Sequence, residues 1–125
     1  MCTALPALSL IIVDDDEHIR RAVGRLLRAH GHEVQSFGSA EACLADAGAA
    51  DCAIVDVDLP GMNGLELDDR LREQGRGIPA VFITAHDEVT IFEAAYRKQR
   101  PLLKKPVDEE SLLAAIAAVT SCQDL

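Results

Sequence analysis

The chain has 125 residues, 49% of them hydrophobic, which suffices for one core in one domain of ordinary size. A formal net charge of −9 argues against a direct grip on nucleic acid, because that grip needs Lys and Arg to displace phosphate counterions. Four cysteines, at 2, 43, 52 and 122, show neither a C-x-x-C pair nor metal-finger spacing, and the opening "MCTALPALSLIIVD" has no basic start and meets acid too soon for a signal peptide or membrane span. The expectation is a cytoplasmic protein with reduced thiols and no membrane contact.

"SLIIVD" (9–14) is short and apolar apart from its ends, which predicts a first strand buried on both faces. Residues 17–30 place Ile19, Val23, Leu26 and Leu27 on one stripe, and Gly31 follows as a stop, so a helix is expected there. "HEVQSF" predicts a second strand over about 33–37, and Ser39 then caps a short helix from Ala42 through Ala47. "CAIVDV" (52–57) is a third buried strand; "DLPGMNG" is a turn, and "LELDDRLREQG" a helix anchored by Leu65, Leu67 and Leu71. "AVFIT" (80–84) predicts the fourth strand, followed by a helix with Asp87 as its cap. A fifth strand is expected over 101–104. The last helix opens after Pro106 with Asp108 as cap and turns Leu112, Leu113, Ile116 and Val119 inward.

Five strand–helix alternations in one small domain imply an α/β fold: a doubly wound parallel sheet joined by right-handed crossovers. In such sheets the ligand crevice lies outside the carboxyl ends of the strands. The polar residues gather at that edge. Asp14 and Asp15 end the first strand, Asp56 the third, Thr84 the fourth and Lys105 the fifth.

The stretch "LIIVDDDE" (10–17) has no basic residue until Arg20, and packed carboxylates repel unless solvated or neutralised, so a cation is expected among them. Oxygen ligands of this kind suit Mg²⁺, which usually accompanies a phosphoryl group. A carboxylate on a rigid strand end can attack phosphorus to give an aspartyl-phosphate, while metal, ammonium and hydroxyl neutralise the phosphoryl oxygens. Asp56, Lys105 and Thr84 suit these roles. Asp16 and Glu17 read as exposed acids of the first helical turn. Histidines 18, 30, 32 and 86 lack ligand spacing, and only His86 falls near the site.

Through "VDD" (13–15), "VDVDLPGMNGLEL" (55–67), "ITA" (83–85) and "KKP" (104–106), the chain resembles the receiver domain of two-component response regulators over essentially its whole length. The resemblance implies a flavodoxin-like sheet of order 2-1-3-4-5 with five helices, and Asp56 as the phosphoacceptor. It also implies a Mg²⁺ ion bound at Asp56, by Asp15 directly, by Asp14 through water and by the main-chain carbonyl of Asp58. Thr84 and Lys105 would contact the phosphoryl oxygens. A sensor histidine kinase or histidine phosphotransfer protein would donate the phosphate, and a downstream protein that the sequence does not name would receive the signal. Self-phosphorylation and slow self-hydrolysis are the only chemistry implied. Asp58 and His86, two positions after the acceptor and after Thr84, are expected to tune the lifetime of the phosphorylated form.

The resemblance weakens before the fifth strand. Receivers usually carry a Gly-Ala pair there and an aromatic residue three positions before the lysine; this chain reads "YRKQRPLLKK", with no glycine and Leu102 at the aromatic position. The switch that couples Thr84 and Ala85 to that aromatic is therefore expected to be altered. A stand-alone receiver is the first reading; the receiver of a longer regulator, or a degenerate docking module, are alternatives. "DVD" (56–58) also resembles the D-x-D motif of haloacid-dehalogenase-type phosphatases, but there the motif sits on the first strand rather than the third.

Overall fold

The computed structural model describes residues 7–120. Its elements alternate strictly: β1 (Ser9–Val13), α1 (Glu17–Ala29), β2 (Glu33–Phe37), α2 (Ala40–Asp46), β3 (Cys52–Asp56), α3 (Gly64–Glu73), β4 (Ala80–Thr84), α4 (Val89–Arg97), β5 (Leu102–Lys104) and α5 (Glu109–Thr120). All strands pair in parallel in the order β2-β1-β3-β4-β5. The expected fold is therefore the observed one. Strand limits differ only at their ends: Asp14 and Val57 lie just past β1 and β3, and Pro101, which has no N–H for the ladder, lies just before β5.

The period-two geometry of the three central strands explains why they read as continuous apolar runs. Ile11, Val13, Ala53, Val55, Ala80 and Phe82 face one layer with Leu67 and Leu71 of α3 and Ile91 and Ala95 of α4. Leu10, Ile12, Cys52, Ile54, Val81 and Ile83 face the other, against Leu27 of α1 and Leu112 and Ile116 of α5. Phe82 and the buried Leu and Ile side chains of this sheet are at most 1% exposed, and each contributes about 1.5–3 kcal/mol. Burial on both faces fixes the register, which fixes the residues delivered to the sheet edge.

Caps set the helix starts. Asp16, Ser39 and Asp108 accept from the backbone N–H groups of His18, Ala42 and Ser111. Asn63 and Glu66 form a reciprocal capping box on α3. Gly31 takes φ +91 after α1, a left-handed stop that a side chain would strain. The expected cap of α4 is not observed: its N-cap is Glu88 without a side-chain hydrogen bond, and the Asp87 carboxylate instead pairs with Lys104. Cys43 and Cys52 are free and buried, and burial pushes their thiols up to about 11 and about 12. Cys2 and Cys122 lie outside the described residues. Among the described residues no helix is long and apolar enough to cross a membrane.

Candidate functional site

Strand order reverses between β1 and β3, so the carboxyl ends of these two strands flank the crevice. Asp14 and Asp56 stand there, 0% and 2% exposed, with Asp15 exposed beside them. One oxygen from each of the three carboxylates lies within 4.8 Å of the others. Such a group needs compensating charge, and Lys105 supplies part of it: its Nζ lies 3.0 Å from Asp14 Oδ2 and donates to Asp56 Oδ2 at 3.2 Å. Residues 10–17 carry no cation of their own; this one arrives, as its expected place at the same sheet edge implied, from the far end of the chain, directly after β5 and before a cis Lys105–Pro106 bond.

The partners of each oxygen are specific. Asp14 Oδ1 accepts from the Asp16 N–H at 2.9 Å, and Asp14 Oδ2 pairs with the Lys105 ammonium at 3.0 Å. Asp56 Oδ1 accepts from the Asp58 N–H at 2.9 Å. Burial, reinforced by the Asp14 charge, holds the Asp56 pKa above the usual carboxylate value against the opposing pull of the Asp58 N–H and Lys105. Burial also works against the Lys105 charge, but attraction from Asp14 and Asp56 outweighs it and its pKa is raised. Three carboxylates that converge on one point with a single ammonium among them keep an excess of negative charge and oxygen donors, which fits a hard divalent cation such as Mg²⁺.

Thr84 ends β4, is 0% exposed and lies at the same edge, but its hydroxyl donates to Asp58 Oδ2 at 2.8 Å rather than to Asp56. The His86 N–H donates back to that hydroxyl at 3.1 Å. The Ala85 N–H reaches Asp58 Oδ2 at 3.4 Å, and His86 Nε2 stands 3.8 Å from Asp58 Oδ1. Leu102 is apart from this group, half-buried on β5 opposite Phe82 and packed on the α3–α4 side of the core.

Three supports were not anticipated. The Arg20 guanidinium donates to the Asp14 carbonyl at 2.6 Å, Glu41 of α2 accepts from the Met62 N–H and so holds the β3–α3 loop, and Asp68 of α3, 5% exposed, collects Arg72, Lys98 and Arg100. Asp68 carried a signal: Gly64, Leu67, Asp68 and Leu71 share the buried stripe at helical spacing.

Comparison with known proteins agrees with this geometry. Residues 10–117 match the response regulator receiver domain. The chain is 39% identical over 110 residues to the response regulator protein TmoT of Ectopseudomonas mendocina, covering 86% of this chain and 50% of that protein. Protein PilH of Pseudomonas aeruginosa is 32% identical over 117 residues, covering 88% of this chain and 95% of PilH. Among solved structures, a response regulator receiver protein from Burkholderia phymatum superimposes with a TM-score of 0.77 at 35% identity, covering 90% of this chain and 94% of that one. The chain spans about half the length of TmoT and of the TodT regulators it also matches. A receiver match along nearly the whole chain leaves no support for the phosphatase alternative, and the chain belongs to the response regulator receiver family.

Proposed function

We propose that this receiver accepts one phosphoryl group on Asp56 from a sensor histidine kinase or a histidine phosphotransfer protein, in the cytoplasm, with Mg²⁺ held by Asp14, Asp15, Asp56 and the Asp58 carbonyl. The observation that carries the reading is the convergence of Asp14, Asp15 and Lys105 on a buried Asp56 at the strand-order reversal. An Asp56 carboxylate oxygen attacks phosphorus, an O–P bond forms as the P–N bond of the donor phosphohistidine breaks, and the departing imidazole takes up a proton. Lys105 neutralises charge on the phosphoryl oxygens, and the Asp58 N–H orients the attacking carboxylate. The metal ion, when bound, would offset negative charge on the acids and the transferred group. Thr84 contributes its hydroxyl once that hydroxyl turns from Asp58. Asp58 and His86 flank the path of a hydrolytic water and set the lifetime of the product.

The length of PilH suits a receiver that stands alone, and the half-coverage of TmoT suits the receiver part of a longer regulator. Incubation with acetyl phosphate and Mg²⁺ should add one phosphoryl group by intact mass, and Asp56→Asn should abolish the addition. Unchanged labelling of that variant would overturn the assignment.

A further inference from the structure

We propose that the Asp58 carboxylate is a latch that holds the Thr84 hydroxyl in the resting protein, so that a phosphoryl group on Asp56 has to compete Thr84 away from it. The inference rests on Asp56 being the acceptor and adds the group that sets how readily the site switches. Thr84 is fully buried, and its one hydroxyl proton goes to Asp58 Oδ2 at 2.8 Å. That proton cannot also serve a phosphoryl oxygen. The Ala85 N–H, the next donor along the chain, approaches the same Oδ2 at 3.4 Å. The His86 N–H fixes the hydroxyl from behind at 3.1 Å, and the His86 ring lies against the other Asp58 oxygen. Residues 84 to 86 are thus closed on Asp58, whose own N–H is bound to Asp56 Oδ1. One residue touches the acceptor through its backbone and the switch hydroxyl through its side chain.

A hydrogen bond to a carboxylate is stronger than one between neutral groups, so the resting arrangement is favoured until another anion takes the same donors. Asp58 is in this sense a positioning residue acting through Thr84. Its side chain is 27% exposed on a loop, so truncating it leaves the core intact and leaves its backbone N–H and carbonyl in place.

The test compares Asp58→Ala with Asp58→Asn, which loses the charge but keeps an acceptor oxygen. In unphosphorylated protein without metal, the amide resonances of Thr84, Ala85 and His86 should move far in Asp58→Ala and clearly less in Asp58→Asn. In a titration with beryllofluoride and Mg²⁺, Asp58→Ala should tighten the apparent Kd about ten-fold and Asp58→Asn, which keeps an acceptor but loses the charge assistance, about three-fold. In a Thr84→Val background, which has no proton to release, Asp58→Ala should have less than about a two-fold effect. Equal tightening by Ala and Asn, or tightening that persists in Thr84→Val, would mean simple charge repulsion and overturn the latch. Failure of the wild type to bind beryllofluoride would count against Asp56 as acceptor, and the resonances of the metal-free proteins would then decide the latch by themselves.

Discussion

Gly64 opens α3 against the backbone of Asp56 at the end of β3, and its substitution by alanine sets two effects of opposite sign against each other. In a helix, alanine is favoured over glycine by about 0.8–1.0 kcal/mol. A Cβ at Gly64, however, would stand 2.4 Å from the Asp56 carbonyl oxygen and 2.8 Å from Val55 Cγ1. Carbon–oxygen contacts settle near 3.3–3.6 Å, so either α3 or the Asp56 backbone must give by about 1 Å. Neither is a flexible side-chain end, and Gly64 N–H is itself tied to the Val57 carbonyl at 3.2 Å. Overpacking of this kind costs about 1–3 kcal/mol, and the upper part of that range applies where backbone must move; less the helix preference, the clash wins and Gly64→Ala should destabilise the fold by about 1–2 kcal/mol net. Urea denaturation would measure this as a lower midpoint at unchanged slope. A shift of about 1 Å at the acceptor can cost on the order of 100-fold in rate, so labelling by acetyl phosphate should fall more than the loss of folded protein explains. A midpoint equal to or above wild type would refute the argument that α3 is braced on the Asp56 backbone.

Mg²⁺ should raise the melting temperature more than NaCl at equal ionic strength, by about 2.7 kcal/mol of stability at 100 times its Kd; identical shifts would mean that the acids are merely solvated. Because the Asp56 pKa is raised, its ionisation weakens the metal-free fold as pH rises from the ordinary carboxylate value to the higher folded one, so Asp56→Asn should melt higher than wild type at pH 7 and this difference should shrink as pH falls through the folded value and be gone below about 4. The raised Lys105 pKa works at the other end: its stabilisation is complete below about 10.5 and is lost as pH rises through the folded value, a loss that Lys105→Met should not show. Asp68→Ala strands Arg100 and leaves Lys98 with Asp69 alone; the two are only 18% and 14% exposed, so a loss of about 2–3 kcal/mol is expected on urea denaturation, and under about 0.5 kcal/mol would show the cluster to be ornamental. With beryllofluoride and Mg²⁺, amide shifts should be large at Thr84 and Ala85 and small at Leu102 and Leu103; comparable shifts at all four would mean that Leu102 transmits the switch as an aromatic would.

The sheet was readable because each central strand is buried on both faces, which leaves an uninterrupted apolar run whose end marks the sheet edge. Asp14, Asp56 and Thr84 announce themselves as the first polar residues after such runs, and Lys105 stands one step past Lys104 at the end of the half-buried β5. Their partners do not. Lys105 bridging Asp14 and Asp56, or Thr84 donating to Asp58, depends on how far apart neighbouring strand ends stand and on the turn that "DLPGMNG" takes, and neither is encoded in local spacing. Asp87 misled for a related reason. It has the right residue type for a cap, but Lys104 on the adjacent β5 is a charged competitor, and the ion pair takes its carboxylate.

The atypical stretch before β5 shows how a departure in sequence can preserve a position while changing its mechanics. No glycine is present there, yet Gln99 adopts φ +58, a left-handed conformation costing a side-chain residue about 1–2 kcal/mol. The residues on either side offset that cost, because Lys98 and Arg100 both reach the buried Asp68 and Lys98 also pairs with Asp69. The carboxyl end of α4 and the approach to β5 are therefore tied to α3 by charge. At the opposite end α4 begins at Glu88 without a side-chain cap, with Val89 and Phe92 exposed and the Asp58–Thr84–His86 contacts immediately before it. A change at Thr84 thus meets, within a few residues, a helix start held by the exposed Asp87–Lys104 pair, and beyond it a helix end held on the buried Asp68. Such a lever should move most at its less firmly held end, so the expected outcome is larger amide shifts at the first turn of α4 than along β5.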